Sequence, residues 1–161
     1  MVKTFLLLFI QLAMVAAVLG CKKASHYPDD FQFKIDATTS SYDSGKQGFT
    51  RRYVKGDTTV RVPLSDAELQ LIYDLAHEMR FLNFPGEFEH AKYGKFIHPS
   101  FITTIEIGYD GTKKKCSVDS GSPKIELDRP RQFRELADAM MKILLAKDQV
   151  RNLNESDMVF L

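Results

Sequence analysis

Residues 101–119, FITTIEIGYDGTKKKCSVD, are nearly committed to one arrangement. Asp110-Gly111 is a strong signal for a two-residue type I′ turn, whose twist matches that of the strands it joins. Closing the chain there pairs Ile107 with Lys114, Ile105 with Cys116 and Thr103 with Val118 on one face. Glu106 then meets Lys115, and Thr104 meets Ser117, on the other. An opposite-charge pair falls on the polar side without being forced there, which supports the register. A slip of one residue would send every side chain to the wrong face. Cys116 points inward beside Ile105 and reads as a small core residue, free Cys being among the most buried types.

A half-polar hairpin belongs to an antiparallel sheet with one wet face, and its dry face needs a cover. Two amphipathic helices supply it. In LSDAELQLIYDLAHEMRFL, Ser65 and Glu68 form a capping box, with Leu64 and Leu69 at the staple positions. Leu69, Ile72, Ala76 and Met79 recur at helical spacing. The last helix is expected over residues 130–147, with Pro130 in its first turn and a stripe of Phe133, Leu136, Ala137, Met140, Ile143 and Leu144. FQFKID, residues 31–36, alternates as a strand. In FTRRYVKGDTTVRVPL, a two-residue turn at Gly56-Asp57 sets Tyr53 opposite Val60 and Phe49 opposite Leu64, with Arg52 facing Arg61 on the polar side. Arg51 then falls on the apolar face, against the pattern. The expected fold is α+β: an antiparallel sheet of about five strands with two helices packed on one face, in the order βββ-α-ββ-α. The ending SDMVFL is compatible with a further strand or a tail.

The N-terminus, MVKTFLLLFIQLAMVAAVLGCKK, has the layout of a secretory signal: Lys3, then an uncharged apolar run from Phe5 to Leu19. Val18-Leu19-Gly20-Cys21 resembles the lipobox of bacterial lipoproteins. That resemblance implies cleavage before Cys21 and lipidation of its thiol. Two or three acyl chains anchor stably without a transmembrane helix. The expected organisation is a signal peptide over 1–20, a lipidated Cys and polar tether over 21–30, and a single domain over 31–161. Lys22, rather than Asp, after the Cys resembles the signal passed on to the outer membrane; the leaflet is not specified. Removing the first 20 of 161 residues leaves 141, the size of one domain. It also removes Lys3 alone among charged residues, leaving 21 basic and 21 acidic side chains. A bulk electrostatic case for nucleic acid fails on that balance. With Cys21 lipidated, Cys116 has no partner within the chain, so no disulfide staples the fold.

Two tripeptides invite a catalytic reading. Asp43-Ser44-Gly45 and Asp119-Ser120-Gly121 have the form in which aspartic proteases present their paired carboxylates. Such enzymes need those carboxylates about 3 Å apart, sharing one proton. The flanks of Asp43 do not match that family, and the helix starting near Ser65 separates the two sites. Asp, Ser and Gly are also standard turn residues, and both tripeptides read as turns.

Two surfaces remain as binding candidates. Residues 84–100, FPGEFEHAKYGKFIHPS, form a connection long enough to be unusual without a function. Phe84, Phe88 and Phe96 can pin it to the core, while Phe88, Tyr93, Lys95 and Phe96 together suit partner recognition. Glu87, Glu89, His90 and His98 offer divalent-metal ligands, but at no tight spacing, so a metal-dependent hydrolase centred on His90 and His98 is the alternative reading. The second surface is the wet face of the sheet, where Lys34, Arg52, Arg61, Lys113 and Lys115 point one way, interrupted by Asp36, Glu106 and Asp119. No Ser-His-Asp set, phosphate-cradling Gly loop or zinc-type Cys cluster appears. The layout, with LSDAEL, RFLNFP and a Gly-turn hairpin before the last helix, resembles small secreted domains of bacterial lipoproteins for which no activity is known. The expectation is a lipid-anchored envelope binding or accessory protein, without catalytic activity or cofactor, engaging a protein or glycan.

Overall fold

The computed structural model describes residues 27–88, 101–121 and 127–158. Six strands form one antiparallel sheet: β1 (Gln32–Ala37), β2 (Ser40–Asp43), β3 (Gly48–Arg51), β4 (Thr58–Arg61), β5 (Ile102–Tyr109) and β6 (Thr112–Asp119). Their spatial order is β4-β3-β2-β1-β5-β6, so a four-strand meander is extended at β1 by the β5–β6 hairpin. The helices are α1 (Asp66–Glu78), α2 (Asp128–Leu145) and a short α3 (Asp148–Arg151), with a 3-10 turn at Phe81–Asn83. The fold is α+β, as the alternation of wet and dry strand faces requires.

The core lies between the helices and one face of the sheet. Phe33 and Ile35 of β1, Phe49 of β3 and Ile105, Ile107 and Cys116 of the hairpin are all buried there. Ile72 and Ala76 of α1, with Phe133, Leu136, Met140 and Leu144 of α2, cover them. Each fully buried Phe or Leu contributes about 2 kcal/mol by leaving water. The capping box of α1 is present: Ser65 Oγ accepts from the Glu68 amide, while the Ser65 amide donates to Glu68 Oε2 at 2.8 Å. Arg80, with φ of 52°, turns the chain out of α1. The α2 stripe lies where its period puts it, although the helix begins at Asp128 and ends at Leu145, two residues earlier at each end than expected.

The β5–β6 hairpin has the register read from its sequence, from Ile102 opposite Asp119 to Tyr109 opposite Thr112. Asp110 and Gly111 both take positive φ, 50° and 68°, as a type I′ turn demands. Asp30 ties this turn down, its carboxylate accepting from the amides of Asp110 at 3.0 Å and Gly111 at 2.8 Å. Nearby, the Tyr27 amide donates to Gln70 Oε1 on α1. Among the described residues, contacts with the domain therefore already include Tyr27, ahead of Phe31.

Two strand expectations change. Ser40–Asp43, to which the sequence pattern assigns no strand, is a strand with Ser40 and Tyr42 facing inward. Tyr42 supplies the only apolar ring of this segment, and its hydroxyl donates to the Val62 carbonyl at 2.9 Å. The β3–β4 hairpin does not close at Gly56-Asp57: Phe49 pairs with Val60, and Arg51 with Thr58. Relative to Tyr53 opposite Val60, the register moves by four residues, an even number that leaves every side chain on its expected face.

The reason is that residues 52–54 are held elsewhere. Tyr53 Oη donates to the Asn154 carbonyl at 2.7 Å, the Val54 amide to Asp157 Oδ1 at 2.8 Å, and Ser156 Oγ to the Arg52 carbonyl at 2.6 Å. Residues 154–158 are thus an irregular clamp rather than a strand. The clamp also explains Arg51, which does lie on the apolar face. Its guanidinium sits 5.7 Å from the Phe49 ring centroid and donates to the Asn154 carbonyl at 2.9 Å.

Candidate functional site: the open face of the sheet

Strand pairing aligns the outer side chains into rows that cross the sheet. One row runs Arg61, Gly48, Asp43, Lys34, Glu106, Lys115, with one residue from each strand from β4 to β6. The next runs Thr59, Thr50, Ser41, Asp36, Thr104, Ser117. A charged row therefore lies beside a hydroxyl row with a single carboxylate near its middle. The whole charged row, and the hydroxyl row from Thr59 to Thr104, line an open trough of about 670 Å³ that reaches all six strands, a volume in the range of ligand sites. Gly48 lowers the floor between Arg61 and Asp43.

Charges in the trough are unequally matched. Lys34 Nζ lies 3.1 Å from Asp43 Oδ2, Arg52 Nη2 2.9 Å from Asp36 Oδ1, and Lys113 Nζ 3.3 Å from Glu106 Oε1. Burial alone would raise Asp43, but Lys34 and the amides of Lys46 and Gly45 outweigh it and hold its carboxyl below the ordinary range. Asp43 in turn pushes Lys34 up. Each of the three carboxylates is thus matched by one cation. Lys46, Arg61 and Lys115 also line the trough, and no carboxylate pairs with them among the described residues. Arg61 is steadied by a neutral partner, its Nε and Nη2 donating to Gln47 Oε1 at 3.2 and 2.9 Å.

Of the residues expected on this face, Arg61 and Lys115 stand at opposite ends of the charged row, while Arg52 and Lys113 are engaged with carboxylates. Arg52 also donates to the carbonyls of Ala37 and Thr38, so it holds the β1–β2 turn as well as Asp36. Sequence reasoning missed Lys46, Gly48 and the hydroxyl row, because these become neighbours only once Ser40–Asp43 is recognised as β2. The signal available was the inward-pointing Tyr42 between polar neighbours.

The Asp-Ser-Gly tripeptides are turns. Asp43 Oδ1 accepts from the amides of Gly45 and Lys46, and Ser44 Oγ from the Phe33 amide at 2.8 Å. Asp119 Oδ1 accepts from the Gly121 amide, and Ser120 Oγ from the Phe101 amide, both at 2.8 Å. In each case the Asp closes its own turn and the Ser caps a neighbouring strand. β1 and β5 separate β2 from β6, so the two carboxylates are strands apart rather than a proton-sharing pair. Cys116 is fully buried, and burial, opposed by Lys114, pushes its thiol up to about 11.

The second candidate surface is described only at its start. Gly86 accepts from the Ser117 amide at 3.0 Å, attaching this segment to the edge of β6. Phe84 is buried, and Phe88 is half-buried with its ring 5.7 Å from Phe84 and 6.2 Å from Phe133. Both rings pack onto the core. Tyr93, Lys95, Phe96, His90 and His98 lie outside the described residues, as does Cys21. Among the described residues, no group of three or more His, Cys, Asp or Glu is placed to hold a metal ion, and no helix is long and apolar enough to cross a membrane. No family model, curated protein or solved structure matches this chain.

Proposed function

We propose that this chain is a lipid-anchored accessory protein of the bacterial cell envelope, directed to the outer membrane, which binds a polar ligand across the open face of its sheet and performs no chemistry on it. The observation that carries the reading is the trough: rows of charged and hydroxyl side chains from every strand, on the face away from the helices, with three cations that lack a carboxylate partner among the described residues. An antiparallel sheet needs one dry face for stability and leaves the other free for recognition.

The anchor rests on the signal pattern ending in Gly20-Cys21. Tyr27 is docked on α1, so the path from Cys21 to the domain is at most about 20 Å even fully extended. Such a module works close to the membrane surface, on a ligand delivered there.

The test is to express the full chain in a bacterial envelope with a labelled fatty acid, and to crosslink and recover it. Wild type is expected to carry label, to sediment with membranes and to capture a ligand. Cys21→Ala is expected to lose label and sedimentation. A variant with Lys46, Arg61 and Lys115 reversed to Glu is expected to stay anchored and lose the ligand. Unlabelled, freely soluble wild type would remove the anchor. Equal capture by the charge-reversed variant would remove the face. Arg52 and Lys113 are left intact because reversing them also breaks ion pairs within the domain.

A further inference from the structure

We infer that the ligand of the trough is a linear acidic polysaccharide, lying across the strands with its acid groups on the Arg61-to-Lys115 row and its hydroxyls on the Thr59-to-Ser117 row. This rests on the reading of the open face as a binding surface, and gives that surface a ligand class.

Four features of the face point this way. The first is charge: after three internal ion pairs, Lys46, Arg61 and Lys115 outnumber the one unpaired carboxylate that the strands of this face still present among the described residues, Asp119 at the β6 end. Electrostatic complementarity selects an anion. The second is length. Arg61 and Lys115 stand on strands five spacings apart, about 24 Å at about 4.8 Å per strand, so the surplus is spread out rather than gathered at one point. A small anion such as free phosphate engages one end; a polymer with repeated acid groups engages both.

The third feature is the hydroxyl row. It runs beside the charged row, two residues along each strand and therefore about 7 Å away. Thr50 and Thr59 share one hydrogen bond at 2.8 Å, and Thr104 and Ser117 another at 2.9 Å. Each pair uses one proton and retains a second hydroxyl hydrogen for another acceptor. A chain of sugar rings presents acids and hydroxyls at neighbouring positions along its whole length, matching two parallel rows of this kind.

The fourth is what the face lacks. No aromatic side chain points outward from the six strands, and Ile102 is the only large apolar residue that does. Protein and peptide recognition relies on buried aromatic and Arg anchors in desolvated pockets. Single-stranded nucleic acid relies on aromatic stacking platforms. A hydrated polyanion needs neither.

Gly48 gives a steric test independent of charge. A Cβ there meets only Thr59 Cγ2 at 3.7 Å and Lys46 Cβ at 4.0 Å, ordinary contacts, so a larger side chain fits the strand while filling the trough. The experiment titrates the soluble chain from residue 22 onward, once its cooperative thermal unfolding shows it folded, with polygalacturonate, neutral dextran and poly-glutamate. Wild type, Gly48→Leu and the Lys46, Arg61 and Lys115 to Glu variant are compared, each with its melting temperature.

Polygalacturonate is expected to bind wild type and to weaken roughly tenfold as salt rises from about 0.05 to about 0.2 M, as its counterions are released. Gly48→Leu and the charge variant are each expected to weaken it at least about tenfold at unchanged melting temperature. Dextran is expected not to bind. Equal binding of poly-glutamate would overturn the sugar class in favour of an acidic peptide. Failure of wild type to bind polygalacturonate would overturn the acidic polysaccharide, yet a ligand captured in the envelope and lost in Gly48→Leu would keep the face as a binding surface. If envelope capture is also indifferent to Gly48→Leu, both readings fall together.

Discussion

Lys147 and Glu68 are 79 positions apart in the chain, and their side chains meet at 2.7 Å. Glu68 also accepts from the Ser65 amide, so one carboxylate closes the capping box of α1 and ties it to the junction of α2 and α3. Burial alone would raise Glu68, but Lys147 and Ser65 more than offset this and hold it below the ordinary glutamate range. A lowered folded value means that the stabilisation is complete above the unfolded value and lost as pH falls through the folded one. Glu68→Gln keeps a capping-box acceptor and loses the ion pair. It is expected to cost about 1 kcal/mol at pH 7, or about 3 °C of melting temperature, and the gap to wild type should close toward pH 3. A gap that widens in acid would contradict the assignment.

Cys116 is predicted to be inert. Its fully buried thiol, pushed up to about 11, offers almost no thiolate at pH 8. An aromatic disulfide reagent should label the native domain only as fast as it opens, and immediately in denaturant. Cys116→Ser should cost about 2 kcal/mol, since a hydroxyl beside Ile105 enters an apolar setting. Rapid stoichiometric labelling of the native protein would show the site to be open.

The Asp110-Gly111 turn depends on Asp30. The two amides that Asp30 accepts, Gly111 and then Asp110, hold its carboxyl below the ordinary aspartate range. In Asp30→Ala, amide hydrogen exchange at Asp110 and Gly111 should accelerate, while Ile105 and Cys116, in the middle of the hairpin, keep their protection. Unchanged exchange at the turn would mean that the Asp-Gly dipeptide needs no anchor.

The C-terminal clamp makes a prediction about proteolysis. Residues 154–157 hold Arg51, Arg52, Tyr53 and Val54. A chain ending at Leu153 should be cut by trypsin in the β3–β4 connection about tenfold faster, the equivalent of one or two lost hydrogen bonds, with little change in global stability. Equal cleavage rates would assign the rigidity of that loop to Arg52 and its own contacts.

These contacts also show why the sequence was legible in some places and not in others. The β5–β6 register follows from one dipeptide and an alternating pattern, all within 19 residues, and α1 announces its start with Ser65 and Glu68. Local rules suffice for both. The β3–β4 register depends on Asn154, Ser156 and Asp157, about a hundred residues away, which no local turn rule contains. Arg51 looked like a flaw in the pattern because its explanation, the Phe49 ring and the Asn154 carbonyl, lies partly in that same distant segment. β2 escaped because Ser40, Ser41 and Asp43 have low strand propensity, and its burial hangs on Tyr42. The wet-face cations were visible from alternation alone. Which of them are matched by carboxylates was not, since Lys34–Asp43 joins two strands of which only one had been recognised.

The most direct test of the central claim, that the open sheet face is where this protein binds, is site-specific photo-crosslinking in the chain expressed in a bacterial envelope. A photoreactive residue replaces Thr50 or Thr104 in the trough, or the exposed Glu135 on the helix layer. Adducts from Thr50 and Thr104 that vanish with Gly48→Leu, and none from Glu135, are the predicted result. Adducts from Glu135 alone would contradict the account and move recognition to the helices.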